Sequence, residues 1–300
     1  MVENIQVFIT HYVTKDIIFL NDMLVEAVTF MEKVTDYPHE TIVICYSPDG
    51  SDKELFDRLP KNVILVKDER PTDQDSAISI LNKVLEIAKD YFVILQNDIR
   101  VSNGWLTALV KDFEHAESKF GKRCIMSMRF IPYHFIPGTI EQKYPDFWTK
   151  QMFVHYTCND INTMSNWCRQ YGFEFKNNMV YSLQKPSGFF TDDGHMLMMF
   201  MSSRNCFDPG MGGIGYYDEK FQGWGYGDCD FGIRALMKGF KNLQSQTSLI
   251  GHRTGLTTTQ PKFKKVTVDN RVVFIEKWGE KMFDEMQTGQ LWIRLHKEYR

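Results

Sequence analysis

Apolar runs of strand length recur through the first 128 residues, and helix-length amphipathic segments separate them. The runs are Ile5–Thr10 (IQVFIT), Thr41–Tyr46 (TIVICY), Asn62–Val66, Tyr91–Leu95 (YFVIL) and Cys124–Met128. A strand with one wet face alternates apolar and polar residues. Runs that are apolar on both faces need cover on both sides of their sheet. Between them lie helical segments at Asp16–Lys33, Lys53–Arg58, Gln74–Lys89 and from Ser102 to about His115. The third carries Ala77, Ile78, Leu81, Val84, Leu85 and Ala88 at helical spacing. Strands joined through helices lie parallel. The pattern therefore predicts an α/β fold, a mostly parallel Rossmann-like sheet flanked by helices.

The remaining chain is less regular. Phe130–Phe190 is rich in aromatics, Asn, Gly and Pro with no clean period, and reads as an insertion, either a lid or substrate wall or a decorative or oligomer-forming surface. His195–Met201 (HMLMMFM) and Asn242–Ile250 are further strand candidates. A polar loop over Gly251–Gln260, the run Val272–Trp278 and a C-terminal helix follow. The expected organisation is a single domain over 1–300. It comprises a half spanning 1–128, an insertion at 129–190, a second half at 191–260 and an extension at 261–300.

At 43% hydrophobic, 24% charged and net charge −3, the 300 residues have ordinary globular composition. The slight acidity argues against a generic polyanion binder. MVENIQVFIT lacks the basic start and apolar core of a signal peptide, and no apolar run approaches the ~20 residues of a membrane helix. Cys45, Cys124, Cys158, Cys168, Cys206 and Cys229 form no CxxC pair, which favours reduced thiols and a cytoplasmic location.

Chemistry concentrates in Tyr216–Arg234, YYDEKFQGWGYGDCDFGIR. Gly223, Gly225 and Gly227 permit tight turns and close approach to a ligand. Trp224 offers a flat apolar face, and Asp228 and Asp230 open a helical segment that ends at Gly239. The plain alternative is that both aspartates only cap that helix. In open parallel sheets, ligands bind beyond the carboxyl ends of the strands. There the chain places Thr10 and His11, then Ser47-Pro48-Asp49-Gly50, and then Asn97-Asp98. Neither GxGxxG nor a P-loop is present, so bound phosphates call for a metal ion instead of a glycine cradle. Asp98 and, after a later strand, His252 are the candidate ligands. Lys262-Phe263-Lys264-Lys265 with Arg294, Lys297 and Arg300 could touch nucleic-acid phosphates, although such runs are usually solvated surface.

In order, Asp49, a helix bearing Asn82, LQND followed by Gly104-Trp105-Leu106, and DEKF…YGDCDFGIR resemble the GT-A nucleotide-sugar glycosyltransferases, specifically the inverting family 2 group. GWGYGDCD is also similar to the GWGGEDDD loop of β-1,4-galactosyltransferases. The resemblance covers most of 1–128 and 195–255. It implies a glycosyltransferase of the hexosyl or pentosyl class. The donor would be a nucleoside-diphosphate sugar such as a UDP-sugar, with Mn2+ or Mg2+, and the acceptor a glycan or glycoconjugate hydroxyl, with a modified nucleic-acid base as another option. It implies Asp98 and His252 as metal ligands and Thr10, His11, Ser47, Asp49, Asn82 and Asn97 as nucleotide-sugar contacts. Asp228 would be the general base, with Trp224 and Asp230 against the sugar or acceptor. The chain departs from the pattern at Gln96, where the family has Asp, and at Gly227, where it has Glu. Those departures leave room for an inactive sugar- or nucleotide-binding module. A sugar-1-phosphate nucleotidyltransferase, the other alternative, should carry a glycine-rich basic loop where this chain has Ile9-Thr10-His11-Tyr12.

Overall fold

The computed structural model describes residues 2–69, 77–101, 103–134, 190–191, 198–222, 225–254 and 261–299. The elements run β1 (Ile5–Tyr12), α1 (Phe19–Val34), β2 (His39–Tyr46), α2 (Leu55–Arg58), β3 (Ile64–Lys67) and α3 (Ala77–Ile87). Next come β4 (Tyr91–Gln96), β5 (Ile99–Val101), α4 (Trp105–Phe120), β6 (Cys124–His134), β7 (Phe190–Thr191) and β8 (Phe200–Ser203). The chain closes with α5 (Gly227–Met237), β9 (Lys241–Thr254), α6 (Pro261–Trp278), α7 (Glu280–Gln287) and α8 (Gln290–Glu298).

Among the described residues the strands form one nine-stranded sheet in the order β3-β2-β1-β4-β8-β6-β9-β5, with β7 on β9. β1, β2, β3 and β4 are mutually parallel, and β6 is parallel to β9. β8 runs antiparallel between β4 and β6, so those two strands share a direction. The predicted mostly parallel α/β sheet is the one observed.

Alternate side chains of each strand feed two separate cores. Phe8, Ile42, Ile44, Phe92 and Ile94 face α3, α5 and the C-terminal helices. Val7, Ile9, Val43, Val93 and Leu95 face Leu24, Val28 and Met31 of α1 and Trp105, Leu109 and Phe113 of α4. Complete burial on both faces is why these strands read as unbroken apolar runs.

Several boundaries differ from the sequence reading. The predicted strand at His195–Met201 is instead Phe200–Ser203, and residues 192–197 lie outside the described residues. β6 continues to His134, into the stretch assigned to the insertion, and β9 continues to Thr254, into the expected polar loop. Val272–Trp278 is the end of a helix.

The extension of β6 and β9 shapes the site. Their register shifts between Ser127 and Arg129, and pairing resumes at Arg129–Leu249. Residues 250–252 of β9 then pair with β5. Only residues 97 and 98 separate β5 from β4, a reach of about 10 Å at most. β4 and β9 are nevertheless three places apart in the sheet. The distal halves of β6 and β9 must therefore curl over the carboxyl end of β4.

Candidate active site

That curl brings residue 252 opposite Ile99, one residue from Asp98. The side chain of residue 252 lies outside the described residues; its backbone position is set by the strand register. Asp98 itself is half-buried in the turn after β4. Among the described residues no three His, Cys, Asp or Glu side chains cluster as a metal site. A carboxylate oxygen and an imidazole nitrogen fit a small divalent cation whose remaining positions are filled by water and substrate phosphates.

Asp228 reaches the same rim from the other half of the chain. α5 leads into β9 and α3 leads into β4, so both helices begin at the carboxyl edge of the sheet. Their starts touch: a Cβ on Gly227 would lie 2.5 Å from Cδ1 of Ile78 on α3. A side chain at position 227 would therefore displace Ile78. Just upstream, Gly225 (φ 97°) and Tyr226 (φ 63°) are both left-handed. For tyrosine that conformation costs about 1–2 kcal/mol, and it is held by ring contacts of Tyr226 with Phe274 and Phe283, each at 5.8 Å. Asp228 is half-buried and hydrogen-bonds the Cys229 thiol; burial first, and then Asp228, push that thiol well above its ordinary pKa.

The loops after β1, β2 and β4 are tied into one network. Asn97 Nδ2 donates to His11 Nδ1 (2.7 Å), His11 Nε2 donates to Asn21 Oδ1 (2.8 Å), and Asn21 Nδ2 donates to the Ser51 carbonyl (2.8 Å). His11 is fully buried, and loss of hydration lowers its pKa to about 4, against the opposing pull of Asn21 and Asp52. It is thus a neutral strut that holds Asn97. Thr10, half-buried, donates to the Leu95 carbonyl (3.2 Å). Asp49 is exposed and accepts from Lys15 N (2.8 Å), Ser51 N (3.2 Å) and Ser51 Oγ (2.5 Å), with Ser47 Oγ at 3.5 Å. Slight burial pulls its pKa upward, but the Ser51 and Lys15 hydrogen bonds outweigh that and hold it below the usual carboxylate range.

Two further site candidates are likewise held by the chain itself. Asn82, expected as a nucleotide-sugar contact, is buried and bonds Tyr217 N (2.8 Å), Tyr217 O (3.0 Å) and Glu219 Oε1 (3.1 Å), pinning the 217–219 segment to α3. Asp230, expected against the sugar or acceptor, takes its partners from the chain. It is wholly buried, with Arg234 Nε at 2.9 Å, Trp278 Nε1 at 2.9 Å and Lys277 Nζ at 2.7 Å. Trp224 lies outside the described residues. Of the basic tail, Arg294 pairs with Glu285 (2.8 Å) and Glu298 (3.0 Å). Residues 262–265 are helical, and their side chains lie outside the described residues. Cys45, Cys124, Cys206 and Cys229 are free thiols. Among the described residues no helix is long and apolar enough to cross a membrane.

No protein-family model and no curated protein matches the sequence. Solved structures do. That of GalNAc-T7 with UDP, GalNAc and Mn2+ aligns over 95% of this chain and 51% of its own, with TM-score 0.56 and 17% identity. S. aureus TarS 1–349 aligns over 90% of this chain and 66% of its own (TM-score 0.48, 9% identity), and its complex with UDP over 91% and 65% (0.49, 10%). The chain thus spans about half the length of the GalNAc-T7 chain it matches. Its fold is that of the GT-A glycosyltransferases.

Proposed function

We propose that the chain is an inverting glycosyltransferase of the family 2 type, carrying a sugar from a nucleoside-diphosphate sugar, UDP-linked, to a hydroxyl of a glycan or glycoconjugate. What supports this reading is a GT-A fold in which Asp98 stands in the turn after β4, the backbone of residue 252 lies opposite Ile99, and Asp228 opens a helix that starts at the carboxyl edge of the sheet. The first 128 residues then form the donor half: Thr10, Ser47, Asp49 and Asn97 stand at the ends of β1, β2 and β4, where a nucleotide lies in such sheets. Asp98 and His252 would hold Mn2+ or Mg2+, which when bound neutralises the charge growing on the departing diphosphate. Asp228 removes the proton from the acceptor hydroxyl as its oxygen attacks the anomeric carbon, a contribution of about 10²–10⁴-fold. The bond to the diphosphate oxygen breaks as the new glycosidic bond forms.

The test begins with a thermal-shift screen of nucleotide sugars with and without Mn2+, because a genuine donor stabilises the folded chain by mass action. With the donor so found, Asp228→Asn lowers release of nucleoside diphosphate by about 10²–10⁴-fold and leaves donor affinity unchanged. Asp98→Ala abolishes metal-dependent donor binding in calorimetry. The anomeric configuration of the product, read by NMR, must be opposite to that of the donor. A wild-type chain that binds donors but never releases nucleoside diphosphate is a binding module, and the proposal fails.

A further inference from the structure

We infer that α6 is a splint for the Asp228 turn and that Asn270 is its positioning residue, a conclusion that rests on the transferase reading above. Asn270, Phe274, Lys277 and Trp278 project from one face of α6. The Asn270 amide, 2% exposed, works in both directions. Its Oδ1 accepts from Gln222 N (2.9 Å), and its Nδ2 donates to Gln222 O (2.5 Å) and Gly225 O (3.1 Å). A side-chain amide used this way substitutes for a neighbouring backbone strand, and no apolar residue of the same size can replace it.

Gly225 is also the first of the two left-handed residues that lead into α5. Phe274, one turn along α6, packs on the second, Tyr226. Asp230 N donates to Tyr226 O (2.9 Å), which closes the first turn of α5 around Asp228. A turn further along α6, Lys277 bridges Asp230 (2.7 Å) and Asp218 (2.6 Å), and Trp278 bonds Asp230. The candidate base therefore stands between two anchors on a single helix. One grips the chain just before it, and the other grips the residue two places after it. Backbone in a sparsely populated conformation persists only when its surroundings over-determine it. α6 supplies those surroundings.

The experiment uses the full chain and two variants, Asn270→Ala and the isosteric Asn270→Asp, which keeps the acceptor oxygen and loses the donor. Hydrogen exchange is read by mass spectrometry over 222–230, and transfer kinetics are measured with the donor found above. The splint requires exchange over 222–230 to rise at least tenfold in both variants, with the rates of β1 and β4 unchanged. It also requires kcat to fall at least tenfold while the donor KM stays within twofold. Unchanged protection over 222–230 overturns the proposal, and so does lost protection with kcat intact. An equal loss of kcat and donor affinity likewise overturns it, because that pattern reports general destabilisation. If Asn270→Ala does not fold, Asn270→Asp decides. Wild-type chain with a protected 222–230 segment but no transfer from any donor defeats the transferase reading separately and leaves Asn270 a structural staple alone.

Discussion

Asp228 and Asp230 differ by two positions, and their environments predict opposite consequences for removing them. Asp230→Ala deletes a wholly buried carboxylate that receives Arg234, Lys277 and Trp278. Breaking a buried ion pair by removing one partner costs about 3–5 kcal/mol. The lower end applies, because the two cationic side chains stay 19% and 29% exposed and Lys277 keeps Asp218 at 2.6 Å. With unfolding entropy of about 2.1 cal/mol/K per residue, a 300-residue chain loses about 1.6 °C per kcal/mol, so Tm falls by about 5 °C. Asp22→Ala is the control. Asp22 pairs with Arg58 at the surface, the two side chains being 74% and 40% exposed. Exposed pairs contribute at most about 1 kcal/mol, so this Tm moves by less than about 2 °C. Asp228→Asn should likewise leave Tm in place while lowering transfer by about 10²–10⁴-fold. Differential scanning calorimetry on the three variants checks the set. If Asp230→Ala shifts Tm no more than Asp22→Ala does, Asp230 is not a structural hub and the division of labour is wrong.

His11 gives a pH prediction. Its folded pKa is depressed to about 4 from 6.5, so between those values the unfolded chain binds a proton that the folded chain refuses. Stability from this residue is complete above pH 6.5 and is lost as pH falls toward 4, up to about 3 kcal/mol; the Tm-versus-pH curve of His11→Gln should be correspondingly flatter in that window. Gly227→Ala places a methyl against Ile78 and should destabilise by about 1–3 kcal/mol in urea melts; Ile78→Val removes the clashing Cδ1 and should restore most of it. Asn82→Ala strips three hydrogen bonds from the 217–219 segment and lowers Tm, but donor affinity measured by calorimetry stays at the wild-type value. A donor affinity that collapses in Asn82→Ala would place Asn82 in the nucleotide site.

What the sequence revealed follows from which physical demands leave a mark on residue type. β1, β2 and β4 were legible because burial on two faces forces unbroken apolar runs. β8 was displaced in the reading because its buried Ser202 and Ser203 look like loop residues. In the fold, Ser202 Oγ donates to the Cys124 carbonyl (3.1 Å) and Ser203 Oγ bonds Cys206 (3.4 Å), which makes their burial tolerable. The positions of Asp98 after a strand and of Asp228 at a helix start were legible and are the ones observed. His11, Asn82 and Asp230 have the right chemistry at the right end of the sheet, and only coordinates show that their polar atoms are taken by the chain itself. Asn21, Asn270 and Lys277 went unnoticed since their partners lie far away in sequence. The face that α6 turns to the site is built from Asn, Phe, Lys and Trp, not from a helical apolar stripe.

The antiparallel seat of β8 between β4 and β6 also bears on how the molecule is made. As a nascent chain leaves the ribosome, β1 to β4 can pair as soon as they emerge, but the other side of β4 stays bare until Phe200–Ser203 follow about a hundred residues later. An apolar strand with unpaired amides invites pairing with a neighbouring chain. Expression stopped short of β8 should therefore yield inclusion bodies, and holdase chaperones should engage this protein chiefly during that interval of synthesis.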